Sequence, residues 1–212
     1  MISLDHLVYH ELGEGFPDEV ICMRPFGPAI GHATLPPEII DAFNADIDGG
    51  TEGPDWSGKL VGNVEAEDAA LTYVDNYASR HCKPIRADIK PAVTIHSAWY
   101  VQQRAGDFNP LHLHTNAELS AVGYLKMPED IQEEWTEDDK DHYPAAGHIE
   151  FLHGSPTFLN RAAFMVRPKV GDFFIFPADL LHTVYPFKSD GERRSFSMNI
   201  ILAEKEEEDG AT

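Results

Sequence analysis

The spacing of apolar and polar positions changes character near residue 92. Before it, Leu35-Pro-Pro is followed by Ile39, Ile40, Phe43 and Ile47, an apolar stripe at helical spacing with proline near its start and Gly49-Gly50 after it. This predicts a helix over 35–47. A second helix is expected over 65–81, with Ala70, Leu71, Val74, Tyr77 and Ala78 on one side. From Ala92 the period becomes two: Val93, Ile95, Ser97, Trp99 and Val101 alternate with Thr94, His96, Ala98, Tyr100 and Gln102, which predicts a strand. Further strands are expected at 119–127, 148–152, 164–168, 172–176 and 193–202. Short strands separated by turn signals predict a mainly β fold, a sandwich or barrel. The expected organisation is a single domain over 1–212, with a helical flank (1–91), a β core (92–202) and an acidic tail (203–212).

Charge narrows the function classes. Lys and Arg total 16 and Asp and Glu 36, so the formal charge is 16 − 36 = −20. That sign opposes nucleic-acid binding, which draws its affinity from cations on phosphates, and opposes anionic membranes equally. The two cysteines, Cys22 and Cys82, are read as reduced thiols rather than a disulfide framework. The first ten residues lack a basic segment and a long apolar run, and the expected location is cytoplasmic. The segment 128–147 carries Glu133, Glu134, Glu137, Asp138, Asp139 and Asp141 with Lys140 as its one base; a solvated insertion is the expectation, a lid the alternative.

The candidate chemistry lies in two separated stretches. In Gly106-Asp-Phe-Asn-Pro-Leu-His112-Leu-His114, residues i and i+2 of an extended chain share a face, so both imidazoles can reach one ion. In Gly171-Asp-Phe-Phe-Ile-Phe-Pro177-Ala-Asp-Leu-Leu-His182, an apolar strand ends at a proline turn and delivers a third imidazole. Two ligands from one strand and one from a distant strand suit a facial site with open positions, as in non-haem Fe(II) centres. Structural zinc more often takes four closed ligands, often with sulfur. The other eight histidines, His6, His10, His32, His81, His96, His142, His148 and His153, are read as ordinary core or surface residues. Beyond His182, Arg193, Ser195, Ser197 and Asn199 share one face of a strand. An arginine turned into a cavity needs an anion, and its planar fork can hold a carboxylate by two hydrogen bonds, with Ser195 donating a third. The alternative is a surface arginine paired with one of the many acids.

Together, Trp99, Gly106-Asp107-Phe108, His112-Leu113-His114, Leu119-Ser120 with Tyr124-Leu125, Gly171-Asp172 to Phe176-Pro177, His182, Arg193-Arg194-Ser195 and Asn199 carry a family pattern. It resembles that of the iron- and 2-oxoglutarate-dependent oxygenases, closest to the branch frequent in phage and marine bacteria. The resemblance covers about residues 92–202. It implies a double-stranded β-helix (jelly roll) with flanking N-terminal helices. It also implies Fe(II) held by His112, His114 and His182, and 2-oxoglutarate gripped by Arg193 and Ser195, with Tyr124 or Tyr100 adding a phenolic hydrogen bond. No catalytic side chain beyond the metal site is implied. The reaction would consume O2 and act on a small-molecule or peptide substrate that the sequence does not identify. One departure is plain. The commoner motif places Asp or Glu two residues after the first histidine, where this chain has His114, so three neutral imidazoles would leave the centre at +2. A chain charge of −20 repels a dianion, but the near cations dominate, since a contact pair is worth about 4 kcal/mol at 4 Å and an effective dielectric of 20 while distant charges are screened. Two alternatives remain. The spacing Gly106, His112-x-His114, Glu118 and later His182 also resembles a cupin, in which Glu118 would join the ligands and no 2-oxoglutarate would bind. The other is a non-enzymatic jelly-roll binding module.

Overall fold

The stripe Ile39, Phe43 and Ile47 buries one face of helix α1 (Pro37–Gly49), and Ala70, Val74, Tyr77 and Ala78 bury one face of α2 (Val64–His81). The computed structural model describes residues 20–23, 25, 27–49, 57–59, 64–81, 91–136, 145–158 and 161–204. Cys82, His6, His10, His142, the acids of 137–144 and most of the acidic tail lie outside the described residues.

The larger sheet has seven antiparallel strands in the order β1 (Ile21–Met23), β2 (Ile30–Thr34), β9 (Asp172–Pro177), β6 (Leu119–Lys126), β11 (Arg193–Glu204), β4 (Pro91–Gln103) and β3 (Ser57–Lys59). The smaller has β5 (Asn109–His112), β10 (Leu181–Val184), β7 (Ile149–Leu152) and β8 (Ala163–Val166). The fold is mainly β, a jelly roll with helices against one face of its larger sheet. The flank before residue 92 is not only helical: β1, β2 and β3 extend that sheet. They are three to five residues long, too short to show a period of their own, and β1 and β3 form the sheet's two edges.

Alternation on the central strands divides the interior in two. On β9, Phe173 and Ile175 face the helices, while Phe174 and Phe176 face the smaller sheet. Burial on both faces explains why this strand reads as an unbroken apolar run. On β11, Phe196, Met198 and Ile200 pack toward the helices, Phe196 stacked on Phe43 (centroids 4.2 Å apart) and Phe173 (5.6 Å). The opposite face therefore carries Arg193, Ser195 and Ser197. Arg194, on the helix side, is held by Glu192 (2.8 Å), Asp48 (2.8 Å) and Asn44 (3.0 Å).

Strand β4 departs from the simple alternation. Asn199 pairs with Ser97 but Ile200 pairs with Ile95, so His96 is an extra residue, a β-bulge. Val93 and Ile95 pack toward the helices, and so do Ala98 and Tyr100, whereas Trp99, Val101 and Gln103 turn the other way. The expected single face from Val93 to Val101 is thus split at the bulge. The segment 128–147 also differs from a solvated insertion where it is described. It contains a short helix, α3 (Ile131–Thr136), with Ile131 buried. The Glu134 carboxylate accepts from the Lys188 and Ser189 amides and the Ser189 hydroxyl, and the Trp135 indole donates to the Ala146 carbonyl (2.8 Å).

Candidate metal centre

His112 ends β5 and His182 lies in β10, and the two are direct cross-strand partners, so pairing alone brings their rings together (centroids 4.2 Å). His114 follows β5, where its amide donates to the Ala178 carbonyl (2.8 Å). Its ring stacks on His182 (centroids 5.2 Å, 9° between planes), with the two Nε2 atoms 3.3 Å apart. One nitrogen from each ring lies within 4.8 Å of the other two, a spacing at which the three can hold a metal ion. Gly106 and Gly171, with φ of +88° and +94°, occupy the left-handed turns that precede the two histidine-bearing segments.

The donor chemistry fits a metal. The Nδ1–H of His112 donates to the Pro110 carbonyl (2.7 Å) and that of His182 to the Leu180 carbonyl (2.9 Å). A carbonyl only accepts, so in a neutral ring the Nε2 lone pair is left for the ion. Burial, then the neighbouring His112, pushes His114 down to about 4. Burial pushes His182 down to about 3, against its bond to Leu180 and with help from the other two imidazoles. Both rings are therefore neutral at pH 7 and available as ligands. His182 is fixed from behind by Phe176 (4.9 Å, edge-on) and Phe151 (6.2 Å).

The same cavity holds the anion-binding candidates. Arg193, Ser195 and Ser197 of β11 and Tyr124 of β6 line it with the three histidines. Arg193 is 1% exposed, yet among the described residues no carboxylate lies within salt-bridge reach of it. Its Nε donates to Gln103 Oε1 (2.9 Å), its Nη2 to the same oxygen, and its Nη1 to the carbonyls of Gly147 (3.0 Å) and Tyr185 (3.4 Å). Burial pushes its pKa down to about 10, opposed by Tyr124 and Asp107, so it remains a cation at pH 7. The Tyr124 hydroxyl is buried with no hydrogen-bond partner among the described residues, and burial pushes its pKa up. A buried cation held only by neutral oxygens beside an orphaned hydroxyl is a cradle shaped for an anion.

Tyr100 is not brought to this cavity; it packs on the helix side of β4. Glu118 is not part of the histidine cluster either, since its carboxylate accepts from the Leu202 amide (2.9 Å). Of the histidines read as ordinary, His32 pairs with Asp172 (2.9 Å) and His148 accepts from Arg167 Nε (3.2 Å). Sequence reasoning missed Gln103, which its assumed alternation left unplaced, and the end of segment 128–147, whose Gly147 carbonyl touches Arg193. A second, wider cleft shares Trp99, Gln103, Asn109, His112 and His114 with the cavity and adds Val101, Phe108 and Pro110. Trp99 stands 5.6 Å from His114, ring to ring, between the two spaces.

The family model described as "Putative 2OG-Fe(II) oxygenase" matches residues 97–199. Among solved structures, the chain is similar to a Pseudomonas putida prolyl-4-hydroxylase (17% identity, TM-score 0.53, covering 82% of this chain and 92% of that one). It is also similar to the viral collagen prolyl hydroxylase of Paramecium Bursaria Chlorella virus-1 in its 2-oxoglutarate complex (15%, 0.52, 81% and 94%). A third similar structure is the α-ketoglutarate-dependent epimerase SnoN of nogalamycin biosynthesis (13%, 0.57, 86% and 84%). At these identities the likeness is one of fold. No curated protein matches the chain. Residues 97–199, the span that matches the 2OG-Fe(II) oxygenase family model, contain the three histidines and Arg193, and the chain shares the fold of solved 2-oxoglutarate-dependent enzymes.

Proposed function

We propose that His112, His114 and His182 hold the Fe(II), and that Arg193, with Ser195 and Tyr124, grips the distal carboxylate of 2-oxoglutarate. The observation that carries this reading is the buried Arg193, without a carboxylate among the described residues, in one cavity with the three imidazoles. Bound iron supplies the redox chemistry that couples oxidation of 2-oxoglutarate by O2 to oxidation of a substrate, here a hydroxylation. The chain's own work is positional. The carbonyls of Pro110 and Leu180 hold two imidazoles with their Nε2 lone pairs free for the ion, Phe151 and Phe176 pack behind His182, and Arg193 would hold and orient the co-substrate in the same cavity. The prime substrate, a small molecule or peptide, enters by the cleft of Trp99, Val101, Phe108 and Pro110, which opens onto His112 and His114. Engagement of the Glu118 carboxylate by Leu202 weighs against a cupin ligand set.

The charge of −20 supports an enzyme that binds no nucleic acid and no anionic membrane. Among the described residues no helix is long and apolar enough to cross a membrane. The test is formation of succinate from 2-oxoglutarate that requires both Fe(II) and O2. Its absence from metal-loaded protein, with no rise in melting temperature on adding 2-oxoglutarate, overturns the reading.

Tyr124→Phe checks the cradle separately. Removing a buried hydroxyl without a partner is expected to leave the apoprotein at least as stable, since such a group costs about 1–3 kcal/mol. It should weaken 2-oxoglutarate roughly tenfold by loss of one hydrogen bond to a charged group. Calorimetry showing unchanged affinity removes Tyr124 from the site.

A further inference from the structure

Gln103 ends β4 as the direct cross-strand partner of Arg193 and is 3% exposed. Arginine has only donors, so the amide must turn its oxygen to the guanidinium, where it accepts from both Nε and Nη2. That orientation leaves the amide nitrogen to donate to Asn109 Oδ1 (2.9 Å). The Asn109 carbonyl in turn accepts from the Thr183 hydroxyl (2.8 Å). Asn109 begins the strand that ends at His112, and Thr183 follows His182. A line of hydrogen bonds therefore runs from β11 through β4 and β5 to β10, linking Arg193 to both histidine-bearing strands. Gln103 and Asn109 also form part of the wall shared by the inner cavity and the outer cleft.

The choice of an amide has an electrostatic consequence. A carboxylate at this place would aim Arg193 equally well, but it would neutralise the cation and occupy its charge. A neutral oxygen holds the fork still and leaves its net positive charge for an incoming anion. We propose that Gln103 is the positioning residue of the co-substrate site: it aims Arg193 without neutralising it, and through Asn109 ties the anion grip to the strands that carry His112 and His182. This rests on the role given to Arg193 under the proposed function.

Gln103→Glu separates positioning from simple support. The variant keeps the contact with Arg193 and converts it to an ion pair, and Asn109 can turn its amide to donate. If Gln103 only supported the fold, 2-oxoglutarate would bind normally. The inference expects instead an unchanged Mn(II) affinity, a melting temperature at or above wild type, and 2-oxoglutarate affinity reduced roughly tenfold or more, because the guanidinium already has its anion. Calorimetric titration of the Mn(II)-loaded protein with 2-oxoglutarate reads this without turnover. Wild-type affinity overturns the inference. Should the buried carboxylate prevent folding, Gln103→Met, which lacks an acceptor of comparable strength, must weaken 2-oxoglutarate in the same assay, and unchanged affinity there overturns it too. Failure of the wild-type protein to bind 2-oxoglutarate, or normal binding by Arg193→Ala, instead overturns the role of Arg193 itself.

Discussion

His182→Ala abolishes metal binding. His182 is the most buried member of the triad, at 5% exposure, and the one whose removal leaves two rings from a single segment. Its Nε2 is fixed on three sides: the Leu180 carbonyl holds Nδ1, Phe176 and Phe151 hold the ring, and strand pairing holds the backbone opposite His112. Alanine removes a ligand and opens the site to water, so the two remaining imidazoles compete with hydration for the ion. Loss of an outer hydrogen-bond partner of a metal ligand already costs roughly 10–100-fold in affinity, and loss of the ligand itself should exceed that. Anaerobic calorimetry with Fe(II), or titration with Mn(II) in air, measures it. Metal should raise the melting temperature of the wild type and leave that of the variant unmoved. A variant that binds Mn(II) like the wild type shows that the ion sits elsewhere.

Arg193→Ala spares the metal and removes the co-substrate. The guanidinium belongs to a different sheet from the histidines, so the ion should bind with its wild-type affinity. Truncating one member of a buried charge pair costs about 2–5 kcal/mol, a loss of roughly 30-fold to several thousandfold in 2-oxoglutarate binding. The fold also suffers, because Gln103 Oε1 and the carbonyls of Gly147 and Tyr185 lose their donor. Arg193→Lys provides the control. It keeps a cation but cannot present a planar fork, so its KM for 2-oxoglutarate should fall between wild type and alanine. Unchanged 2-oxoglutarate affinity in the alanine variant would sink the assignment.

Much of this centre was legible along the chain because its chemistry is local. The His-x-His step puts two rings on one side of an extended segment whatever the rest of the fold does. Alternation on β11 puts Arg193 and Ser195 on one face and Phe196 and Met198 on the other for the same reason. The helices of residues 35–47 and 65–81 were visible because a 3.6-residue period is also local.

What stayed hidden depends on partners far away in sequence. The bulge at His96 exists only in the register between β4 and β11, and it decides that Trp99 and Gln103 face the cavity while Tyr100 faces the helices. The orphaned Tyr124 hydroxyl is a property of everything around it, not of the tyrosine. Glu118 has a ligand's spacing, but pairing in the sheet carries its carboxylate to Leu202.

The amino-acid order by itself therefore determined which side chains could bind a metal and an anion, and on which side of their own strands they stand, since both follow from residue type and backbone period. Only the tertiary structure decided that these faces enclose one cavity, that Arg193 meets an amide there rather than an acid, and which residues turn away. Register, bulges and burial are set by contacts between segments tens of residues apart, and no local pattern encodes them.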